Sequence, residues 1–284
     1  MFRFYFREHT ISMKYTKDLR GIVVWGLVAL VCMFFVLGAI MTTLDFAYAE
    51  TPTIRLLARF CTYYGDSSEA RKSNVELATR KISGLKLYPE EEFSFNAQVG
   101  ERTAKNGFKT AYIIQDGEFV EGVGGGVCQV SSTLYNCALL AGLTITCVSP
   151  HSLGVSYVAP SFDAMVSSGS DFRFVNTLSA PITIKMKADG HDITAEIYGV
   201  DKYEIRRRSE TIETIPYETE YRESDDIPFG DEVVDSSGKD GIKSRGYLDY
   251  FENGKLLKSV LIRTDFYAPQ KRVILINKKS NIDE

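Results

Sequence analysis

The sequence predicts an α+β domain followed by a small all-β module, the whole carried behind an N-terminal transmembrane helix, and three observations carry that prediction. The first is an unbroken apolar run near the N-terminus. The second is a pair of helical periods set among short alternating strands. The third is a C-terminal part rich in charge, Thr and Tyr with no helical period. Composition sets the bounds: 284 residues, 44% hydrophobic and 25% charged, suffice for two compact domains and are too polar for a polytopic membrane protein. A formal net charge of −4 argues against a nucleic-acid partner, which requires a basic face against the phosphates.

Residues 21–44, from Gly21 to Leu44, contain no ionisable group, and about 20 apolar residues suffice for a helix to cross a bilayer. Arg3, Arg7, Lys14, Lys17 and Arg20 precede the run, whereas Asp45 and Glu50 follow it. The positive-inside bias therefore places residues 1–20 in the cytoplasm, and residues 45–58, a linker, with everything after them outside the membrane. Ala47-Tyr48-Ala49 also fits a signal-peptidase site, so cleavage after Ala49 is the competing reading; both export the rest.

Beyond the linker, Asp66-Ser-Ser-Glu69 has the form of a capping box, Val75, Ala78 and Ile82 follow at helical spacing, and Gly84 supplies a stop. From Phe93 to Val120, short alternations with turn dipeptides at Asn106-Gly107 and Asp116-Gly117 predict strands, with Phe93 and Phe95 in the core. From Cys128, Val130, Leu134, Cys137, Ala138 and Ala141 share one helical face that ends at Gly142. Strands are expected at Thr144–Val148, Val155–Val158, Phe172–Val175, Ile182–Met186 and Ile193–Tyr198. The all-β module is expected over residues 205–277, with a fraying tail at 278–284. Arg206-Arg207-Arg208 reads as a solvated strand edge.

The run Gly124-Gly125-Gly126-Val127-Cys128 leads a flexible backbone into a helix whose first turn holds a thiol. The positive end of the helix dipole lowers the pKa of such a thiol and favours the nucleophilic thiolate. A base is then required. Of three histidines, His9 lies on the cytoplasmic side and His191 in an Asp-Gly-His-Asp turn, which leaves His151; Asp163 follows as the group to orient its ring. Cys at a helix start, His before a strand and Asp beyond it is the order of papain-like and transglutaminase-like thiol enzymes. Gly124, Gly125 and Gly126 would let a ligand approach, and Gln129, Ser131 and Ser132 would add oxyanion donors.

A plainer reading stands beside this one: glycines that merely allow close packing, a Cys128 that is a small buried hydrophobe, and a His151 that bonds a carbonyl. Cys137 falls on the apolar face, nine residues from Cys128 on one helix and too far to pair with it; the pairing of Cys61, Cys137 and Cys147 stays open. No Cys-x-x-Cys or His-x-x-x-His spacing occurs, so neither a metal nor a cofactor is expected.

Phe93-Ser-Phe-Asn96, Val99-Gly-Glu-Arg-Thr103, Asn106-Gly-Phe108, Gly124 to Asn136, Pro150-His-Ser152, Asp163-Ala164 and Asp171-Phe-Arg-Phe-Val-Asn176 together resemble the VanW family, over residues 59–200. Ile227-Pro-Phe229 and Tyr267-Ala-Pro269 make the C-terminal module similar to the five-glycine module of surface proteins. The resemblance implies a Gram-positive bacterium and a family associated with vancomycin resistance, and carries over no catalytic residue; an extracytoplasmic, single-pass membrane protein beside a module similar to wall-associated ones has cell-wall peptidoglycan as its expected partner. Two functions are open: a Cys-His-Asp hydrolase or acyltransferase on peptidoglycan peptides, and a non-catalytic wall-binding or scaffolding protein. Three positions depart from the usual pattern, Glu90 for glycine, Gly154 for proline and Cys137 for alanine.

Overall fold

The computed structural model describes residues 21–37, 53–115, 117–201 and 203–278, in two compact units divided at Pro52. In the first unit, residues 21–37 form a helix, α1. The predicted span is therefore helical over its first part, while residues 38–44, Ala49 and His9 lie outside the described residues. Among the described residues no helix is long and apolar enough to cross a membrane.

The second unit runs in the order β1 (Arg55–Tyr63), α2 (Glu69–Ile82), β2 (Lys86–Leu87), β3 (Glu92–Ser94), α3 (Phe95–Val99), β4 (Thr110–Gln115), β5 (Glu118–Val123), α4 (Val127–Leu140), β6 (Thr144–Cys147), β7 (Arg173–Val175), β8 (Ile182–Ala188) and β9 (Asp192–Gly199). Six strands of the C-terminal module follow: β10 (Glu204–Ile215), β11 (Thr219–Glu223), β12 (Glu232–Lys239), β13 (Gly241–Glu252), β14 (Lys255–Tyr267) and β15 (Gln270–Ile276). Mixed helix and strand followed by an all-β module is the predicted fold class.

An antiparallel sheet in the order β1-β9-β8-β2 carries the core. Its strands alternate as a sheet wet on one side must: Ile182, Ile184 and Met186 of β8 and Ile193, Ala195 and Ile197 of β9 are buried, while Lys185 and Lys187 face solvent. Helix α4 packs on β1 and β9, and α2 on β8 and on α4. Every residue of α4 except Cys128 and Leu140 is buried, so it is a core helix with one end at the surface. Cys137 lies in its core face and donates from Sγ to the carbonyls of Ala58 and Ala195. Strands β3, β7 and β6 form a small second sheet, and Phe93, Phe172 and Phe174 stack beneath it against Tyr135.

Several local expectations need correction. Ser68, not Asp66, caps α2, accepting from the Arg71 amide, because Asp66 already accepts from the Tyr63 hydroxyl. No strand forms at Val155–Val158; the chain from Val148 to Phe172 is a long loop pinned by an isolated bridge between Ser149 and Met165. Arg207 is not a solvated strand-edge residue. Its guanidinium lies over the rings of Phe60 and Phe162 and bonds Asn136 Oδ1, and burial brings its pKa down to about 10. Glu90 occupies φ +66, the left-handed region where glycine costs least, which accounts for glycine being usual at this position of the family pattern.

The module consists of two three-stranded sheets, β10-β13-β14 and β11-β15-β12, with β11 and β15 parallel. Ile205 and Leu248 enter the same core cluster as α4, so the module is packed onto the first domain rather than tethered to it.

Candidate active site

Gly126 sits at φ +101 and turns the chain into α4, which leaves Cys128 in the first helical turn and partly exposed. The long loop brings His151 beside it, with Asp163 bonded to the imidazole. His151 Nδ1 is 2.6 Å from Asp163 Oδ2, with both side chains buried, 5% and 1% exposed. The same Oδ2 accepts from the backbone amide of His151 at 2.7 Å, which fixes the ring's distance from the carboxylate. Cys128 Sγ accepts from the Val166 amide at 3.5 Å and lies 3.4 Å from its carbonyl.

The electrostatics are those of a coupled thiol and imidazole. Burial alone would push His151 down, but its hydrogen bonds to Asp163 and Cys128 outweigh it and raise the pKa to about 9. Burial would raise Cys128, but the hydrogen bond to His151 and the nearby positive charges of His151 and Arg102 bring it below the ordinary thiol value. Asp163 is likewise held low, burial being outweighed by His151 and Arg263. Both directions favour the thiolate–imidazolium pair relative to an isolated thiol and imidazole.

The three residues line or abut a cleft of about 1070 Å³ whose wall includes Arg71, Arg102, Tyr112, Phe119, Tyr157 and Lys239. Hairpin β4–β5 forms one side and leaves Tyr112 and Phe119 largely exposed.

The proposed oxyanion donors are placed differently. Ser131 and Ser132 are buried behind the helix: both hydroxyls donate to the Cys128 carbonyl, Ser131 also donates to the Ala164 carbonyl, and Ser132 accepts from the Ala164 amide. They hold the Asp163–Val166 segment against α4 and do not line the cleft. The Gln129 side chain is turned onto Thr62 and Tyr63 and accepts from Arg71. The glycines do border the cleft, but protein fills the space where their side chains would stand. A Cβ on Gly125 would lie 2.5 Å from the Tyr112 carbonyl oxygen, and one on Gly124 or Gly126 2.9 Å from the stem of Arg102 or Arg71.

Sequence reasoning missed the residues that hold Asp163. Arg263 donates to Asp163 Oδ1 and to its carbonyl, each at 2.8 Å, and Tyr267 donates to Oδ1 at 2.6 Å, all from β14 of the C-terminal module. Asp265 accepts from Arg263 at 2.6 Å and fixes the guanidinium in turn. Tyr267 also accepts from the amide of Ser161, which sits at φ +67, and Ser209 donates to the Pro160 carbonyl. One hundred residues of sequence separate Arg263 from Asp163, so no local pattern could announce the contact. Tyr157 was hidden by its assignment to a strand; burial and the Cys128 charge keep its phenol protonated.

Fold and site together define an α+β domain with a thiol at a helix start and an all-β module docked on the loop that serves it. Residues 70–198 match the family model described as VanW like protein, and residues 206–279 match the G5 domain. The chain is thus a VanW-like domain followed by a G5 domain. Over 153 residues it is 44% identical to the uncharacterized protein YoaR of Bacillus subtilis, covering 54% of this chain and 50% of that one. Over 137 residues it is 27% identical to the vancomycin B-type resistance protein VanW of Enterococcus faecalis, covering 46% and 50%. The chain spans about half the length of these curated relatives. Among solved structures, the G5 domain of HP0197 is similar at 23% identity over 27% of this chain and 100% of that one, with a TM-score of 0.16. The G5 domain of IgA1 protease is similar at 27% identity over 28% and 96%, with a TM-score of 0.19.

Proposed function

We propose that this protein is a membrane-anchored, extracytoplasmic thiol enzyme that cleaves or transfers an acyl group at an amide bond of cell-wall peptides. The observation that carries the reading is the buried His151–Asp163 pair at 2.6 Å, set against a cysteine in the first turn of α4 at the edge of a cleft. The Cys128 thiolate attacks the carbonyl carbon and forms a C–S bond, and the carbonyl electrons move onto oxygen. Collapse breaks the C–N bond, and the leaving amine takes the proton of the His151 imidazolium. Water or a second amine, deprotonated by His151, then attacks the thioester and releases Cys128.

The Val127 and Gln129 amides already bond the carbonyls of Gly124 and Gly126, so the Cys128 amide is the first-turn donor we assign to the developing oxyanion, with the Tyr157 phenol as a second. The apolar run from Gly21 to Leu44 supports anchoring, and the basic residues before it support an external site. The similarity to VanW-like proteins and the G5 module support a wall substrate.

The test is mass spectrometry of muropeptides incubated with the full chain in detergent, wild type beside Cys128→Ala. New products from wild type alone identify the bond and support the enzyme. Retention of muropeptides by both forms without any product would instead support a wall-binding protein.

A further inference from the structure

The glycine run has a role that the proposed chemistry does not use. Gly124 and Gly126 stand where the stems of Arg102 and Arg71 pass on either side of the turn into α4, and a Cβ at either place would collide with an arginine methylene at 2.9 Å. The run thereby lets two arginine stems pass close to the helix start, with both guanidinium charges felt at the thiol. Each is oriented by neutral acceptors: Arg71 by Ser67 Oγ at 2.7 Å and Gln129 Oε1 at 2.8 Å, Arg102 by Asn96 Oδ1 at 2.7 Å and the Gly100 carbonyl. Among the described residues neither makes an ion pair with a carboxylate. Asp171, near enough to Arg102 to be felt, is taken by Arg173 at 2.8 Å. Burial works against both charges, so holding them there without a carboxylate is a cost to the fold that a ligand can offset.

We infer that Arg71 and Arg102 form an anion-binding pair at the floor of the cleft, and that the ligand is a peptide bearing a free carboxylate close to the bond presented to Cys128. A planar fork suits a carboxylate in two-point contact, which a lysine would not provide. Glu101 is the acidic side chain at the cleft wall, and Lys239 adds a further positive charge there. Tyr112 and Phe119 on the hairpin opposite supply an apolar face for the remainder of the peptide. The inference rests on the cleft serving a reactive Cys128, and its test is chosen so that the two can fail separately.

In the full chain, the rates of Cys128 alkylation by anionic iodoacetate and neutral iodoacetamide are compared by peptide mapping, with a small free thiol as reference. One charge-assisted contact corresponds to a preference on the order of tenfold, so the iodoacetate-to-iodoacetamide ratio should exceed the reference about tenfold and collapse toward it in Arg71→Met and Arg102→Met. A wild-type ratio equal to the reference overturns the inference even if Cys128 reacts quickly. The second arm needs no reactive thiol: calorimetry of Cys128→Ala with acetyl-glycyl-glycine and with its C-terminal amide. Binding of the acid but not of the amide, lost in the Arg102→Met background, supports the pair; equal binding of both, or of neither, overturns it.

Discussion

Replacing His151 with Gln should slow alkylation of Cys128 at pH 6, by up to roughly 100-fold, and both the direction and the ceiling follow from the site. In the wild-type chain the imidazole is held protonated up to about pH 9 and draws the thiol below its ordinary value, so at pH 6 the thiolate fraction exceeds that of a free thiol. Without the ring, Cys128 loses the hydrogen bond and the strongest positive charge that oppose its burial. A thiol returned to a pKa of about 8.5 is only ~0.3% thiolate at pH 6, which sets a ceiling of roughly 300-fold on the loss of reactive form. Part of this is regained, because a more basic thiolate is the better nucleophile, with a Brønsted slope of about 0.4–0.5. The assay is iodoacetamide labelling from pH 4 to 10, read by peptide mapping so that exposed Cys61 and half-buried Cys147 are separated from Cys128. A wild-type profile that climbs tenfold per pH unit to about 8.5, with His151→Gln superimposed, would refute the coupled pair.

Other outcomes follow from the same structure. Arg263→Met removes one partner of a buried ion pair and should cost about 3–5 kcal/mol in urea unfolding, whereas Ser209→Ala, at the same interface but away from Asp163, should cost about 1 kcal/mol. Tyr267→Phe, which keeps the ring, should leave the fold intact and slow Cys128 alkylation at pH 6 more than at pH 9, because Asp163 Oδ1 then keeps only the Arg263 contact. Glu90→Gly relieves a left-handed residue and should raise stability by up to about 1 kcal/mol, seen as a higher Tm. Asp163 and Asp171 are both held low, so the stability they contribute is full above about pH 4, the ordinary carboxylate range, and is lost as pH falls through their folded values; acid titration of urea stability checks this sign.

The parts of the fold that read correctly from sequence were those set by local periodicity. Helix α4 followed from Val130, Leu134, Cys137 and Ala138 bounded by glycines, and β8 and β9 from strict alternation. The loop from Val148 to Phe172 did not, because Val155 and Val158 mimic strand residues while the chain is in fact held by side chains of distant elements. Arg207 was misread for a related reason: a charge run looks solvated until a second domain covers its middle member. Cys128, His151 and Asp163 could be chosen by residue type and order. Their tethers could not, since Arg263 and Tyr267 lie 100 and 104 residues downstream of Asp163.

That separation has a consequence in time. A chain made N-terminus first presents Cys128, His151 and Asp163 before β14 exists, and until β14 docks the carboxylate lacks two of its anchors and the Ser161 turn lacks its brace. The His151–Asp163 pair thus gains its full set of anchors only when the later-made module has folded, so the geometry around Cys128 depends on the last-made part of the chain.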